Sequence, residues 1–137
     1  MMPDESGAVT VFALVVSMAM IVAAGLVLDG GRLLAARREA GDIAGNAARA
    51  GAQAVDEHQL RMGRAVIDPL AGAEAVAGHL AETRATGSAA VAADTVSVTV
   101  RVPVRMLLLG VVGVDATSVT ATRQARAARG VTRAEGP

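Results

Sequence analysis

The chain has 137 residues and zero formal charge, with 53% hydrophobic but only 1% aromatic residues, so it has room for one domain and few large side chains to fill it. All 13 basic residues are Arg, and the absence of Cys excludes disulfides, thiolate nucleophiles and Cys-based metal sites. Ala and Val make up most of the apolar content, which suits close helix contact and narrow strands better than a bulky interior.

After a short acidic leader, residues 1–7 (MMPDESG), the run from Ala8 to Leu28 carries no charge. At 1.5 Å per helical residue it spans roughly 31 Å, the thickness of a bilayer core. A secretory signal has an apolar region of only about 7–15 residues. The expectation is therefore a transmembrane helix over 8–28, not a cleaved signal or a buried soluble helix. Ala13 and Ser17 form a small-residue pair of the kind that packs membrane helices, a weak signal in so Ala-rich a chain.

Helical periodicity continues over 29–57. Leu33, Ala36, Ala40, Ile43, Ala47, Ala50 and Ala54 recur at steps of three and four, with Arg37, Arg38, Asp42, Asn46 and Arg49 largely off the stripe. Gly30-Gly31 permits a bend at the membrane surface, since each Gly costs about 1 kcal/mol relative to Ala in a helix. Asp29 and Arg32 have i,i+3 spacing and read as a local ion pair marking the membrane boundary, or as a contact between subunits of a bundle.

Residues 58–123 read as a small α+β region. Glu57 to Arg64 is polar and connects. Asp68-Pro69 is an N-cap followed by Pro at the first helical position, opening a short second helix that ends near Thr86-Gly87-Ser88. From Thr95 the period becomes two, with Val96, Val98, Val100, Val102 and Val104 on one face. Pro103 cannot donate to a ladder, so the strand lies at an edge or ends there. Met106 to Val114 is apolar but too short to cross a membrane, and reads as a buried turn broken by Gly110 and Gly113. Ala116 to Arg123 returns antiparallel. Residues 124–137 form an Arg-rich tail with little to bury, expected to be mobile.

The stretches GAVTVFALVV and LVLDGGRLLAARREAGDIAGNAARAGAQAV resemble the N-terminal region of TadE/TadG-like proteins of tight-adherence (Flp-type) pilus assembly. In that family a Gly-preceded apolar segment ends in an Asp-x-Gly-Arg element, here Asp29, Gly31 and Arg32. An Ala-rich helix with a central Asp follows, here Asp42 with Ala44, Ala47, Ala48, Ala50 and Gly51. VSVTVRVPVRMLLLGVVGVDATSVTATRQA is similar to the family's strand, apolar turn and return strand. The resemblance implies a minor pseudopilin or accessory envelope protein. It would be held in the cytoplasmic (inner) membrane by one pass, with its C-terminal part extracytoplasmic. Partners would be the lipid bilayer, other pilus-assembly or pilin-like proteins, and a second copy of the chain. It also implies a processing site at Gly7-Ala8. Many such precursors carry Glu at the fifth mature position, where this chain has Phe12, and their leaders are basic. Arg32, Arg37 and Arg38 would by the positive-inside rule hold the C-terminal side in the cytoplasm. The extracytoplasmic orientation follows the resemblance instead, because the Val-rich hairpin recurs with it.

The fold expected is α+β: a long N-terminal transmembrane helix continuing into an Ala-rich helix, a second short helix and a C-terminal antiparallel β-hairpin. Val98 and Val100 should pack on the Ala-rich helix. The hairpin is too small to cover the whole stripe, so Ala36, Ala40, Ile43, Ala47, Ala50 and Ala54 are expected to meet partner helices. His58 and His79 lack the converging ligands that zinc needs. The glycines do not space as a phosphate loop, and there is no Lys to serve one. No catalytic, cofactor, metal or nucleic-acid site is expected. A pilus-assembly component is the leading reading, and a signal-anchored exported binding protein is the alternative.

Overall fold

The computed structural model describes residues 5–113 and 115–127. Residues 1–4 of the leader, Val114 of the apolar turn and residues 128–137 of the tail lie outside the described residues. The fold is α+β. A 48-residue helix, α1 (Glu5–Ala52), is followed by the short α2 (Glu57–Arg61) and by α3 (Pro69–Ala81). Three strands follow, β1 (Thr86–Ala92), β2 (Thr95–Arg105) and β3 (Ala116–Arg126), in an antiparallel sheet of order β1-β2-β3.

α1 runs unbroken through Gly30-Gly31 for roughly 72 Å. Its two halves are helical for different reasons. The first is rich in Val, which is a poor helix former in water but not in a medium where backbone groups must bond internally. Val9, Phe12, Leu14, Met18, Ile21 and Val27 are all well exposed. Among the described residues α1 is the one helix long and apolar enough to cross a membrane. The second half is built on Ala, the strongest helix former. It ends where the chain switches to pairing with itself: Val55 bridges Ile67, the Asp56 N–H donates to Val66 O at 2.8 Å, and the Asp68 N–H donates to Ala54 O at 2.9 Å.

The sheet lies across this second half. Ala36, Ala40, Ala44, Ala47, Ala48 and Ala52 face Val96, Val98, Val100, Val102 and Val104, with Ile67, Val76, Met106 and Val119 completing one core. Methyl side chains on the helix let β-branched side chains of the sheet approach its backbone closely. Each fully buried Val contributes about 1.5–3 kcal/mol and each Ala methyl about 0.8 kcal/mol. α3 crosses α1 where Gly51 meets Gly72; a Cβ on Gly51 would stand 3.1 Å from the Gly72 carbonyl oxygen and 2.8 Å from Val76. The Asp68 cap is formed as expected, its carboxylate accepting from the N–H groups of Leu70 and Ala71 at 2.9 and 3.0 Å.

Several elements differ from the sequence reading. The polar connection after residue 56 contains α2, capped by Asp56, whose carboxylate accepts from the His58 and Gln59 N–H groups. The second helix stops at Ala81, and Thr86-Gly87-Ser88 opens β1, so the hairpin is one part of a three-stranded sheet. β3 extends to Arg126, carrying the start of the tail into the ladder opposite Thr95. β2 is central only over Thr95–Arg101, where β1 pairs with it. Beyond that it is an edge, and Pro103 sits there with no ladder bond to lose on the open side.

Candidate membrane-proximal site

The site with the most specific geometry lies where the two halves of α1 meet. Asp29 is 1% exposed, although it follows directly on the apolar run. Its Oδ1 accepts the backbone N–H of Leu107 at 2.9 Å. Its Oδ2 accepts those of Leu108 at 3.1 Å and Leu109 at 3.0 Å. One turn further along α1, the exposed Arg32 guanidinium donates to the carbonyl oxygen of Arg105 at 3.4 Å. The two side chains thus hold opposite polarities of one backbone segment: the acid takes its N–H groups and the base takes a carbonyl. A carboxylate suits the first task because it offers two acceptor oxygens and no donor.

The segment they hold is the β2–β3 connection. Met106 is buried, its N–H donating to Asp115 O, and a 3₁₀ turn at Leu109–Val112 is closed by Gly113 in the left-handed region at φ 94°. Among the described residues of the turn, Met106 is buried as expected and Leu109 and Gly110 are half-buried. Leu107 is 53%, Leu108 36% and Val111 81% exposed. Leu108 lies on Gly25, where an added Cβ would collide with its Cδ1. An apolar cleft of about 300 Å³ runs from this contact along the helix. Met18, Ile21, Val22 and Leu26 line it from α1, and Leu108, Leu109 and Val111 from the turn.

The sequence-predicted site residues fall as follows. Asp29 and Arg32 act side by side but form no salt bridge with each other; the one salt bridge among the described residues is Arg61–Glu57. Their partners are backbone groups more than seventy positions away in the same chain. Ala36, Ala40 and Ala47 are buried, and Ile43, Ala50 and Ala54 are half-buried. The chain's own sheet and α3 therefore cover Ala36, Ala40 and Ala47, and leave Ile43, Ala50 and Ala54 partly accessible. The buried positions shift toward Ala44, Ala48 and Ala52 because a straight helix drifts about 20° per heptad from a 3.5-residue repeat. Gly7 and Ala8 are exposed in the first turns of α1. His58 and His79 sit on different helices, and among the described residues no group of three His, Cys, Asp or Glu could hold a metal ion.

Sequence reasoning placed Asp29 at the boundary but missed its amide partners. The available signal was the turn itself, an apolar LLLG segment between two strands with no cover of its own.

Comparison with known proteins agrees with the N-terminal half of this picture. No curated protein and no solved structure matches the chain. A family model described as putative Flp pilus-assembly TadE/G-like matches residues 7–54, the stretch that contains the apolar half of α1, Asp29, Arg32 and the Ala-rich half. Over residues 7–54, about a third of its length, the chain is therefore similar to the TadE/G-like Flp pilus-assembly family.

Proposed function

We propose that the chain is a non-enzymatic, membrane-anchored component of a tight-adherence (Flp-type) pilus-assembly system, of the minor pseudopilin-like kind, and works by helix-mediated association. The family match over 7–54 carries this reading. The spanning helix supports it, because most of its apolar side chains are exposed and are free to meet lipid or neighbouring helices. Association then runs through the face of Ala8–Leu28, since the Ala stripe is used within the chain. The α+β region is extracytoplasmic in this reading, with Asp29 and Arg32 fixing it to the end of the anchor.

Three measurements test this, the first two in the native membrane. A photo-crosslinking residue at Val22 should capture pilus-assembly or pilin-like proteins. Ser88→Cys should react with a membrane-impermeant maleimide in intact spheroplasts. Loss of the protein should reduce pilus assembly. Crosslinks to lipid alone, with normal piliation in the deletion strain, would contradict the assignment. Labelling of Ser88→Cys only after lysis would reverse the orientation.

A further inference from the structure

We propose that the apolar turn Leu107–Gly113 is a second membrane contact, immersed in the interfacial layer of the bilayer leaflet where the spanning helix emerges. The inference rests on the spanning reading of Ala8–Leu28 and adds to it a site on the folded domain, with lipid as the occupant.

Contact geometry carries the argument. Leu108 is seated on Gly25, which lies inside the apolar run about one helical turn before Asp29. The cleft between turn and helix reaches Ile21 and Val22, roughly 12 Å along the axis from Asp29. A bilayer that surrounds the helix at Gly25 must therefore also surround whatever touches it there. The side chains suit that medium, since Leu107, Leu108 and Val111 remain exposed among the described residues and offer lipid apolar surface.

Backbone bonding suits it as well. Irregular backbone enters a lipid environment only when its polar groups are satisfied internally. Asp29 accepts the N–H groups of Leu107, Leu108 and Leu109; Leu108 O accepts that of Val111, and Gly110 O that of Gly113. This gives the burial of Asp29 a purpose: it satisfies the N–H donors of a turn whose side chains face lipid. Arg32 and Arg105, both exposed at the base of the turn, stand where headgroup phosphates would lie.

The Cys-free chain allows a direct test on the full-length protein in vesicles of phosphatidylcholine and phosphatidylglycerol. Single cysteines at Val111, Val16 and Ser88 would carry an environment-sensitive fluorophore. The Val111 label should be quenched by lipid bearing a nitroxide near the headgroup. Aqueous iodide should quench it several-fold less than the Ser88 label. The Val16 label should respond only to nitroxides deep in the acyl chains. Equal iodide quenching at Val111 and Ser88, with Val16 lipid-quenched, would overturn the proposal while leaving the anchor intact. A Val16 label untouched by lipid would overturn the spanning reading and the proposal together. A Val111 label shielded from both quenchers, with Val111→Cys cross-linking between chains, would mean that a second copy covers the turn, and would equally overturn it.

Discussion

Gly25 and Leu108 are 83 positions apart in the chain, yet the Leu108 side chain occupies the space where a Cβ on Gly25 would sit. A glycine inside an apolar helix is unfavourable by itself, so its presence there reflects the need for close approach. Gly30, five residues on, has open space where its Cβ would be.

The two glycines should therefore respond oppositely to the same substitution. Gly30→Ala should stabilise the protein by about 1 kcal/mol, the helix-propensity difference. Gly25→Ala has the same propensity gain but must displace Leu108, and should lower the thermal midpoint in detergent micelles. Equal stabilisation at both positions would show that the turn does not pack on the helix.

Alternation along β2 makes a second paired comparison. Val98 is fully buried, so Val98→Asp should destabilise the domain by at least about 3 kcal/mol, because an unpaired charge enters an apolar core. Thr99 lies on the other face, half-buried, sharing a 2.9 Å hydrogen bond with Thr122 across the strands. Thr99→Asp should cost no more than about 1 kcal/mol. Chemical denaturation of both variants, compared with the parent protein, separates these outcomes.

The Ala stripe changes meaning once the sheet is in place. Ala40 is completely buried beneath it, whereas Ala35 is exposed. Ala40→Glu should unfold the α+β region, seen as loss of β-sheet circular dichroism, while membrane extraction stays unchanged. Ala35→Glu should leave the fold intact. If Ala40→Glu kept the sheet and lost only a partner, the stripe would be an intermolecular surface after all.

How much of this was legible in the chain follows from which signals are local. The apolar run of α1, the Asp68-Pro69 cap and the alternating valines of β2 each declare themselves within a few residues, and all three formed. β1 did not. Its segment TGSAAVA holds a single Val, and every position but Val91 is exposed, so it shows neither alternation nor a buried run. It becomes a strand because β2 offers it a ladder and Leu80 of α3 packs over Gly87. The stripe was visible but its cover was not, since a pattern of small residues fits a sheet of the same chain as well as a neighbour's helix. For Asp29 the spacing to Arg32 suggested a local pair, while the actual acceptors and donors lie in a turn distant in sequence.

The clamp at Asp29 is the central claim, because it fixes the folded domain to the end of the apolar helix. Asp29→Asn is nearly isosteric but leaves one acceptor oxygen where two served three N–H donors. Amide hydrogen exchange on the parent protein and this variant in lipid nanodiscs is the most direct test. The account predicts that the Leu107, Leu108 and Leu109 amides are protected in the parent and exchange markedly faster in Asp29→Asn, while the β2 amides from Val96 to Val102 keep their protection. Unchanged exchange at all three leucines would contradict it, and the turn would then be held by something other than Asp29.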